Sequence, residues 1–195
     1  MPKDKAQAAP SIQDGGDMLD RFMAEWSGQR PDLDFDYLAT IGRILRVSAH
    51  LRDNMDSWLA PFGLTWEMFD LLASLQRSGG KAGLRPTDLY EACMLSSGAM
   101  TNRVDRAEKL GYALRQPDPD DGRATRIALT RRGRTLTEKA MTEHATRAGA
   151  ISRRLSAKEH AQLAGLLRKL LMSFEAGPAA APRKSSLNGR RVALA

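Results

Sequence analysis

Cysteine and histidine are scarce in this 195-residue sequence, and their positions exclude several kinds of site. The single cysteine, Cys93, cannot form a disulfide within the chain. The three histidines, His50, His144 and His160, are far apart and lack the spacing of metal ligands. Glycine-rich phosphate loops, nucleophile-elbow sequences and CxxC pairs are also missing. We therefore expect no metal and no cofactor, and an enzyme would need an acid–base pair preorganised in a pocket.

Long apolar runs are missing as well. No stretch approaches the ~20 apolar residues needed to span a membrane, and the first ten residues lack the apolar core of a signal peptide. These absences predict a cytoplasmic protein with no membrane partner. The hydrophobic content of 42% suits one domain with a modest core, or a domain whose core is completed by a partner.

Charge is unevenly distributed along the chain. The formal net charge is +7, yet residues 1–36 contain eight acids and four bases, so the remainder carries +11. A basic body behind an acidic N-terminal segment fits a polyanionic partner such as nucleic acid. A merely soluble basic protein would show the same sum.

The stretch 85–133 combines two short helical patterns, a hairpin pattern and the start of another helix. Pro86 suits the first turn of the first helix, and Cys93 falls at its end, as a small buried hydrophobe or, alternatively, a redox sensor. Ser96 or Ser97 can cap the second helix. One stripe of that second helix is apolar or small: Met100, Val104, Ala107 and Gly111.

The opposite face of the second helix presents hydrogen-bonding groups. Small, amide and guanidinium side chains near a helix N-terminus can reach base edges in a major groove. Poor helix formers are unusually frequent there, which favours a function over an ordinary solvated face. The residues predicted to contact DNA from this helix are Ser96, Ser97, Thr101, Asn102 and Arg106.

A hairpin pattern follows directly. Residues 112–116 alternate, residues 117–122 form a turn, and residues 126–129 alternate back. A helix-turn-helix followed by a hairpin is a winged helix. Arg123 at the hairpin tip could enter a minor groove, with Asp121 holding its guanidinium, although an ordinary surface ion pair is the alternative.

The helix after the hairpin begins with cations. Thr130 is the predicted N-cap, and Arg131, Arg132 and Arg134 follow in the first turn. Cations are unfavourable at the positive end of a helix dipole unless an anion lies nearby. A DNA phosphate would supply that anion, so Arg131 and Arg132 join the predicted DNA contacts.

Two sequence runs resemble a known family. The run from Asp121 to Gly133, with Arg123, Ile127, Leu129 and Thr130 at fixed spacing, resembles the wing signature of MarR-family transcription regulators. The run 95–106 resembles their recognition helix, and the resemblance extends over about 34–175. It implies a mainly α-helical winged-helix homodimer in the bacterial cytoplasm. Such a dimer binds a pseudopalindromic operator, usually represses, and is often released by a small ligand.

The remaining segments are assigned around this stretch. We expect the wing domain alone to leave too much apolar helix surface uncovered, so that pairing of two chains would cover it. The expected division is a disordered N-terminus at 1–16, an extra helix at 17–28, dimerisation helices at 34–60 and 131–175, a winged helix-turn-helix at 64–130 and a disordered basic tail at 178–195.

A finer resemblance is to the PecS-type, urate-responsive branch of the family, carried by the extra N-terminal helix with Trp26, the segment 30–34 and the run 41–46. That resemblance implies ligand-binding roles for Trp26, Asp70, Arg103 and Arg115. A flat purine anion suits an aromatic face and an Arg fork. The alternatives are a phenolic effector, oxidation of Cys93, or an architectural DNA-binding protein without a ligand. Trp26 could equally be a packing residue, and Arg103 a phosphate contact.

Overall fold

The computed structural model of the chain describes residues 16–93 and 100–176. Within these ranges no helix is both long enough and apolar enough to cross a bilayer. The predicted disordered segments at 1–16 and 178–195 lie outside the described residues, apart from Gly16. The helices are α1 (Met18–Gln29), α2 (Ile41–Leu59), α3 (Trp66–Gly79), α4 (Pro86–Ala92), α5 (Met100–Lys109), α6 (Arg131–Ser152) and α7 (Ala157–Glu175), and the strands are β1 (Ala113–Pro117) and β2 (Thr125–Leu129).

The extra N-terminal helix is present and is fixed to α2. The Asp17 carboxylate accepts from the backbone N–H groups of Leu19 and Asp20. The Asp20 carboxylate in turn accepts from the Asp17 N–H, which completes a capping box. The Arg43 guanidinium binds both carboxylates, at 2.7 and 2.6 Å, and holds their pKa values below the usual range. A Cβ atom on Gly42 would lie 2.8 Å from Leu19, so glycine there permits the close approach of α1.

The prediction of one continuous helix from Asp34 to Ala60 is wrong. A 3₁₀ turn, Asp36–Ala39, precedes α2, and a second one, Ala60–Phe62, follows it. The Asp34 carboxylate accepts from the Asp36 N–H at 2.8 Å, which favours a turn over a helix start. The Arg43 guanidinium then donates to the Ala39 carbonyl at 3.0 Å, which satisfies a carbonyl that a continuous helix would use internally.

Helix α3 is the centre of the core. Its N-cap is Thr65, whose hydroxyl accepts from the Met68 N–H at 3.3 Å. The core around it consists mainly of aliphatic and aromatic side chains from the helices and the hairpin: Leu59, Phe69, Leu72, Leu75, Leu89, Val104 and Ile127. His144 of α6 packs with its ring 5.2 Å from that of Phe69, and burial lowers its pKa.

The hairpin is antiparallel, with Arg115 opposite Ile127 in the register. Leu84 pairs with the hairpin through an isolated β-bridge. The Leu84 N–H donates to the Ile127 carbonyl at 2.9 Å, and the Ile127 N–H donates to the Leu84 carbonyl at 2.8 Å. Gly83 has φ +76°, and a Cβ there would lie 2.2 Å from the Ile127 carbonyl oxygen, so only glycine fits. Helix-turn-helix, hairpin and the order of elements confirm the predicted winged helix.

Residues of the second compact unit, Thr146–Ala195, include the end of α6 and all of α7. Ser156 and Glu159 form a capping box at the start of α7. Apolar side chains along α7 are exposed, including Leu166 at 67% and Phe174 at 72%. A helix face of this composition in water calls for a partner surface.

Two glycine substitutions should have opposite effects on stability. A Cβ on Gly133 would lie 1.9 Å from the Tyr112 carbonyl oxygen, so Gly133→Ala should lower the free energy of unfolding by about 1–3 kcal/mol. Gly165, in the middle of α7, has no atom within 4 Å of that position, so Gly165→Ala should raise it by about 0.5–1 kcal/mol. Urea unfolding at fixed protein concentration measures both. Equal effects of the two substitutions would contradict this close approach of α6 and the hairpin.

Candidate nucleic-acid interface and ligand residues

Helix α5 has the two faces that the sequence predicts. The buried face carries Met100, Val104 and Ala107, each at 8% exposure or less. The exposed face carries three of the predicted base contacts, Thr101, Asn102 and Arg106. Gly111 is not part of the apolar stripe as predicted, because it follows the helix with φ +70° and reverses the chain into β1. The predicted contacts Ser96 and Ser97 lie outside the described residues.

At the wing tip, the predicted ion pair between Asp121 and Arg123 is not formed. The Asp121 carboxylate instead accepts from the backbone N–H of Arg123 at 3.1 Å, and its carbonyl accepts from Ala124 at 2.8 Å. The carboxylate is thereby used to shape the turn. Among the described residues, no ion pair engages the Arg123 guanidinium, so its charge is available to a partner.

Asp118 is a functional residue that the sequence reasoning missed. Its carboxylate is buried at the wing and accepts from Arg85 Nε at 2.5 Å, while Arg126 Nε lies 3.1 Å away. Arg85 precedes α4, so this contact joins the hairpin to the first helix of the helix-turn-helix. Arg85 and the Asp120 N–H hold the pKa of Asp118 far below its usual range. The Pro117-Asp118-Pro119 sequence was interpreted only as a turn.

Arg131 and Arg132 lie at the open end of the hairpin. The Arg132 guanidinium carbon is 5.1 Å from the centre of the Tyr112 ring, in a cation–π contact. Thr130 is confirmed as the N-cap, because its hydroxyl accepts from the Gly133 N–H at 3.0 Å. The same hydroxyl is 2.7 Å from the Gly111 carbonyl oxygen, which attaches α6 to the end of the α5 turn.

Asp70 and Arg103, two of the predicted ligand residues, both act electrostatically on the thiol of Cys93, and these three residues are called the polar cluster below. Asp70 is buried in α3 at 3% exposure. The Nη1 atom of Arg103 is buried, and it has no hydrogen-bond partner among the described residues. Both charges act on the same thiol, Cys93, where Asp70 raises the pKa and Arg103 lowers it. The cluster therefore contains an available buried donor on α5.

Cys93 itself is half-buried between α3 and α4. Burial is the largest influence on the thiol and raises its pKa above the usual value, and a hydrogen bond with Ser74 opposes this. A raised pKa leaves less thiolate at neutral pH, and thiolate is the form that oxidants attack. The environment favours the structural role for Cys93.

Arg115 is engaged by the recognition helix. Its guanidinium forms ion pairs with Asp105, at 2.8 Å, and with Glu108, and its backbone N–H also donates to Glu108 at 2.8 Å. These bonds connect β1 to the outer side of α5. Sequence spacing alone did not reveal them, because the partners lie seven and ten residues away on another element.

Trp26 lies in a separate aromatic group. Its ring stacks on Phe35 with centroids 5.6 Å apart and planes 22° apart, and Tyr37 lies 6.5 Å from Phe35. Trp26 is 51% exposed. The four predicted ligand residues are therefore divided: Asp70 and Arg103 share a cluster, Arg115 is bound to α5, and Trp26 forms an open aromatic platform.

Comparison with known proteins supports one family. A model described as "MarR family" matches residues 62–124. The HTH-type transcriptional regulator PecS of Dickeya dadantii is 32% identical over 146 residues, which is 75% of this chain and 88% of that protein. The multiple antibiotic resistance protein MarR of Escherichia coli is 27% identical over 143 residues, covering 70% of this chain and 94% of that protein.

Solved structures agree with the fold. A cysteine-to-serine variant of Escherichia coli MarR complexed with operator DNA superposes with a TM-score of 0.60 at 27% identity, over 70% of this chain and 97% of that one. The DNA complex of MepR from S. aureus gives 0.61 at 24% identity, over 73% and 98%. The latter likeness concerns the fold alone.

The winged fold and the exposed polar face of α5 are those of a DNA-binding protein. Because PecS matches across most of its length at 32% identity, the chain belongs to the MarR family. It is a DNA-binding transcription regulator, and this family consists of regulators, not enzymes.

We expect Asp118 to stabilise the wing in a pH-dependent way. A carboxyl group with a depressed pKa contributes stability above its unfolded pKa of about 3.9, and this stability is lost progressively as the pH falls from that value through the lower folded pKa. Asp118→Asn should therefore melt at a lower temperature than wild type at pH 7. The difference should shrink as the pH is lowered toward 3, which thermal unfolding followed by circular dichroism measures.

Asp120→Asn is the matched control, because the Asp120 side chain is 78% exposed and touches Arg126 only at 3.4 Å. Its melting temperature should stay near that of wild type at both pH values. If Asp118→Asn and Asp120→Asn behaved alike, the buried contacts of Asp118 with Arg85 and Arg126 would not stabilise the wing.

Proposed function

We propose that the protein is a homodimeric repressor that binds a pseudopalindromic operator and is released from it by urate or a related purine. The observation that carries the ligand part is the buried Arg103 Nη1 donor on the recognition helix, with Asp70 acting on the same thiol, Cys93. The operator part is supported by the likeness to Escherichia coli MarR, which has been solved with operator DNA.

DNA recognition is assigned to α5 and the wing. Thr101, Asn102 and Arg106 project from the exposed face, where Asn can bond adenine and Arg can bond guanine in the major groove. Arg123 at the wing tip supplies a cation for the minor groove. Ser96 and Ser97, which precede α5 in the sequence, remain predicted contacts, and Asp121 shapes the wing tip.

Dimerisation is assigned to the terminal helices. The exposed apolar residues of α7, such as Leu166 and Phe174, form a surface that a second copy of the chain can cover. A twofold axis through the segments 34–60 and 131–175 would pair them. Two recognition helices reading successive major grooves on one DNA face must lie about 34 Å apart.

Release follows from the charges around Arg103. An anionic purine would accept hydrogen bonds from the unpartnered Nη1, which gains a bond that the free protein lacks. The same anion would repel the Asp70 carboxylate nearby. Because Arg103 belongs to α5, a displacement of its guanidinium that side-chain rotation does not absorb would tilt the helix that reads DNA.

Arg115 offers a second way to couple ligand binding to DNA release. It neutralises Asp105 and Glu108, two acids on α5 that would otherwise repel DNA phosphates. A ligand that draws Arg115 away would expose both charges at the interface. Trp26, stacked on Phe35, gives a flat ring a surface to pack on, which is the role the urate-responsive resemblance assigns to it.

A phenolic effector is the second candidate, since it would also present an anion to Arg103. Gating by oxidation of Cys93 is disfavoured by the burial that raises the pKa of its thiol. An architectural protein without a ligand would show neither operator preference nor release by any small molecule.

The test begins by selecting operator sequences from a random duplex library and measuring their affinity at fixed salt. We expect a two-half-site consensus and binding at least about 10³-fold tighter than to unrelated DNA. Urate, added to the preformed complex, should release the DNA at concentrations that leave an unrelated winged-helix protein bound. Specific binding that ignores urate, xanthine and phenolic acids would leave the regulator without the proposed gate.

Two substitutions locate the gate. Arg103→Gln should retain operator binding but shift the urate concentration for half release about tenfold upward, because one charge-assisted hydrogen bond is lost. Asp70→Asn removes the carboxylate that the anion repels, so this variant should bind urate at least as tightly as wild type but release less DNA when saturated with it. Arg52→Gln, which removes an exposed charge that pairs with Glu67 at 3.5 Å, is the control and should respond as wild type does. A wild-type response in both test variants would refute the role of this cluster.

A further inference from the structure

A cleft lies beside the open end of the hairpin, at the start of α6. Its volume is about 670 Å³, within the range of small-molecule sites. The apolar part of its lining comes from Phe62, Tyr112 and Leu136, and the charged part comes from Arg131, Arg132 and Lys139. None of these residues belongs to the proposed purine site.

The charges in this cleft are unbalanced. No carboxylate is among its lining residues, and within the described part of the chain Arg131, Arg132 and Lys139 form no ion pair. Arg131 and Arg132 also stand in the first turn of α6, where the helix dipole is already positive. Lys139 lies about two turns further along α6 and faces the same cleft, and three like charges around one cleft disfavour each other unless an anion joins them.

The side chain of Arg132 is held ready for an anion. Its guanidinium stacks over the Tyr112 ring at 5.1 Å, and Tyr112 is itself buried at 8% exposure. Stacking uses the face of the guanidinium and leaves the N–H groups along its edge for a bidentate oxyanion. Phe62 and Leu136 add an apolar wall that a hydrated inorganic ion would not use.

We propose that this cleft binds a phosphate monoester that carries a flat apolar ring. A dianionic phosphate matches the three cations better than a single carboxylate does, and the ring would pack on Phe62 and Leu136. A DNA phosphate shares the charged half of this chemistry. The site nevertheless lies at the opposite end of five-residue strands from the wing tip, about 17 Å from Arg123, which favours a free ligand over the operator.

The consequence is a second input on the same regulator. The cleft is bounded by Tyr112, which begins the hairpin, and by the first turns of α6, and Thr130 bonds the two together. A ligand bridging them would fix the base of the wing. This inference does not depend on urate or on Arg103.

The probe for this site is 1-naphthyl phosphate, titrated into the full-length protein with naphthalene fluorescence as the signal. We expect saturable binding that persists when the operator is bound. 1-Naphthol, which lacks the phosphate, and inorganic phosphate, which lacks the ring, should each bind at least about tenfold more weakly, because each leaves half of the cleft unused.

Variants assign the signal to the cleft. Arg132→Gln and Lys139→Gln should each weaken binding of 1-naphthyl phosphate about tenfold. Arg132→Lys, which keeps the charge but loses the fork, should bind with intermediate affinity. Arg134→Gln is the matched control, because Arg134 shares the first turn but donates to the Gly80 carbonyl and is not in the lining. Arg103→Gln should also bind the probe as wild type does, which separates this site from the purine gate.

Three results would overturn the proposal. One is the absence of saturable binding, and another is binding that is insensitive to Arg132→Gln and Lys139→Gln while circular dichroism shows folded variants. The third is displacement of the probe by operator together with a salt dependence of DNA binding that falls by about one ion in Arg132→Gln. That last pattern would assign the cations to the DNA backbone.

Discussion

The winged helix depends on the hydroxyl of Thr130. This one group accepts from the Gly133 N–H to begin α6 and lies within hydrogen-bond distance of the carbonyl oxygens of Gly111 and Tyr112, where α5 gives way to the hairpin. The close approach requires Gly133, because any Cβ would collide with Tyr112. Recognition helix, wing and long α6 therefore meet at one junction, which gives a physical connection between them.

Acidic residues hold the basic groups of this chain in position. Asp118 fixes Arg85 and Arg126 at the wing, and Asp105 and Glu108 fix Arg115 against α5. A protein with a net charge of +7 is suited to a polyanion, but its specificity requires cations in defined places. Several cations have no such partner among the described residues, and Arg106 on α5, Arg123 at the tip and the group around Arg132 are among those available to external anions.

Local rules account for the parts that the sequence predicted well. Asp17, Thr65 and Ser156 cap helices because their side chains reach N–H groups two or three residues ahead, and Met100, Val104 and Ala107 are buried because helical periodicity places them together. Winged-helix topology follows from the order of such elements.

Contacts between distant segments account for what the sequence did not predict. The break before Ile41 depends on local turns and on Arg43, which also binds α1, and the burial of Asp118 depends on Arg85, thirty-three residues earlier. Proximity in sequence predicts an ion pair between Arg123 and Asp121. In the structure the Asp121 carboxylate accepts from the backbone N–H of Arg123 instead. The ligand residues came from family resemblance, and only the structure shows that Asp70 and Arg103 are neighbours of Cys93 whereas Trp26 packs elsewhere.

The central claim is that a ligand at Arg103 moves the recognition helices of a dimer. Spin labels on Lys109→Cys, in a Cys93→Ser background, would measure the distance between the two α5 helices. With operator bound we expect one narrow distribution, consistent with helices about 34 Å apart. Without operator, addition of urate should shift or broaden the distribution of distances between the two α5 helices. An identical distribution with and without urate, or no dipolar signal between protomers, would contradict the account.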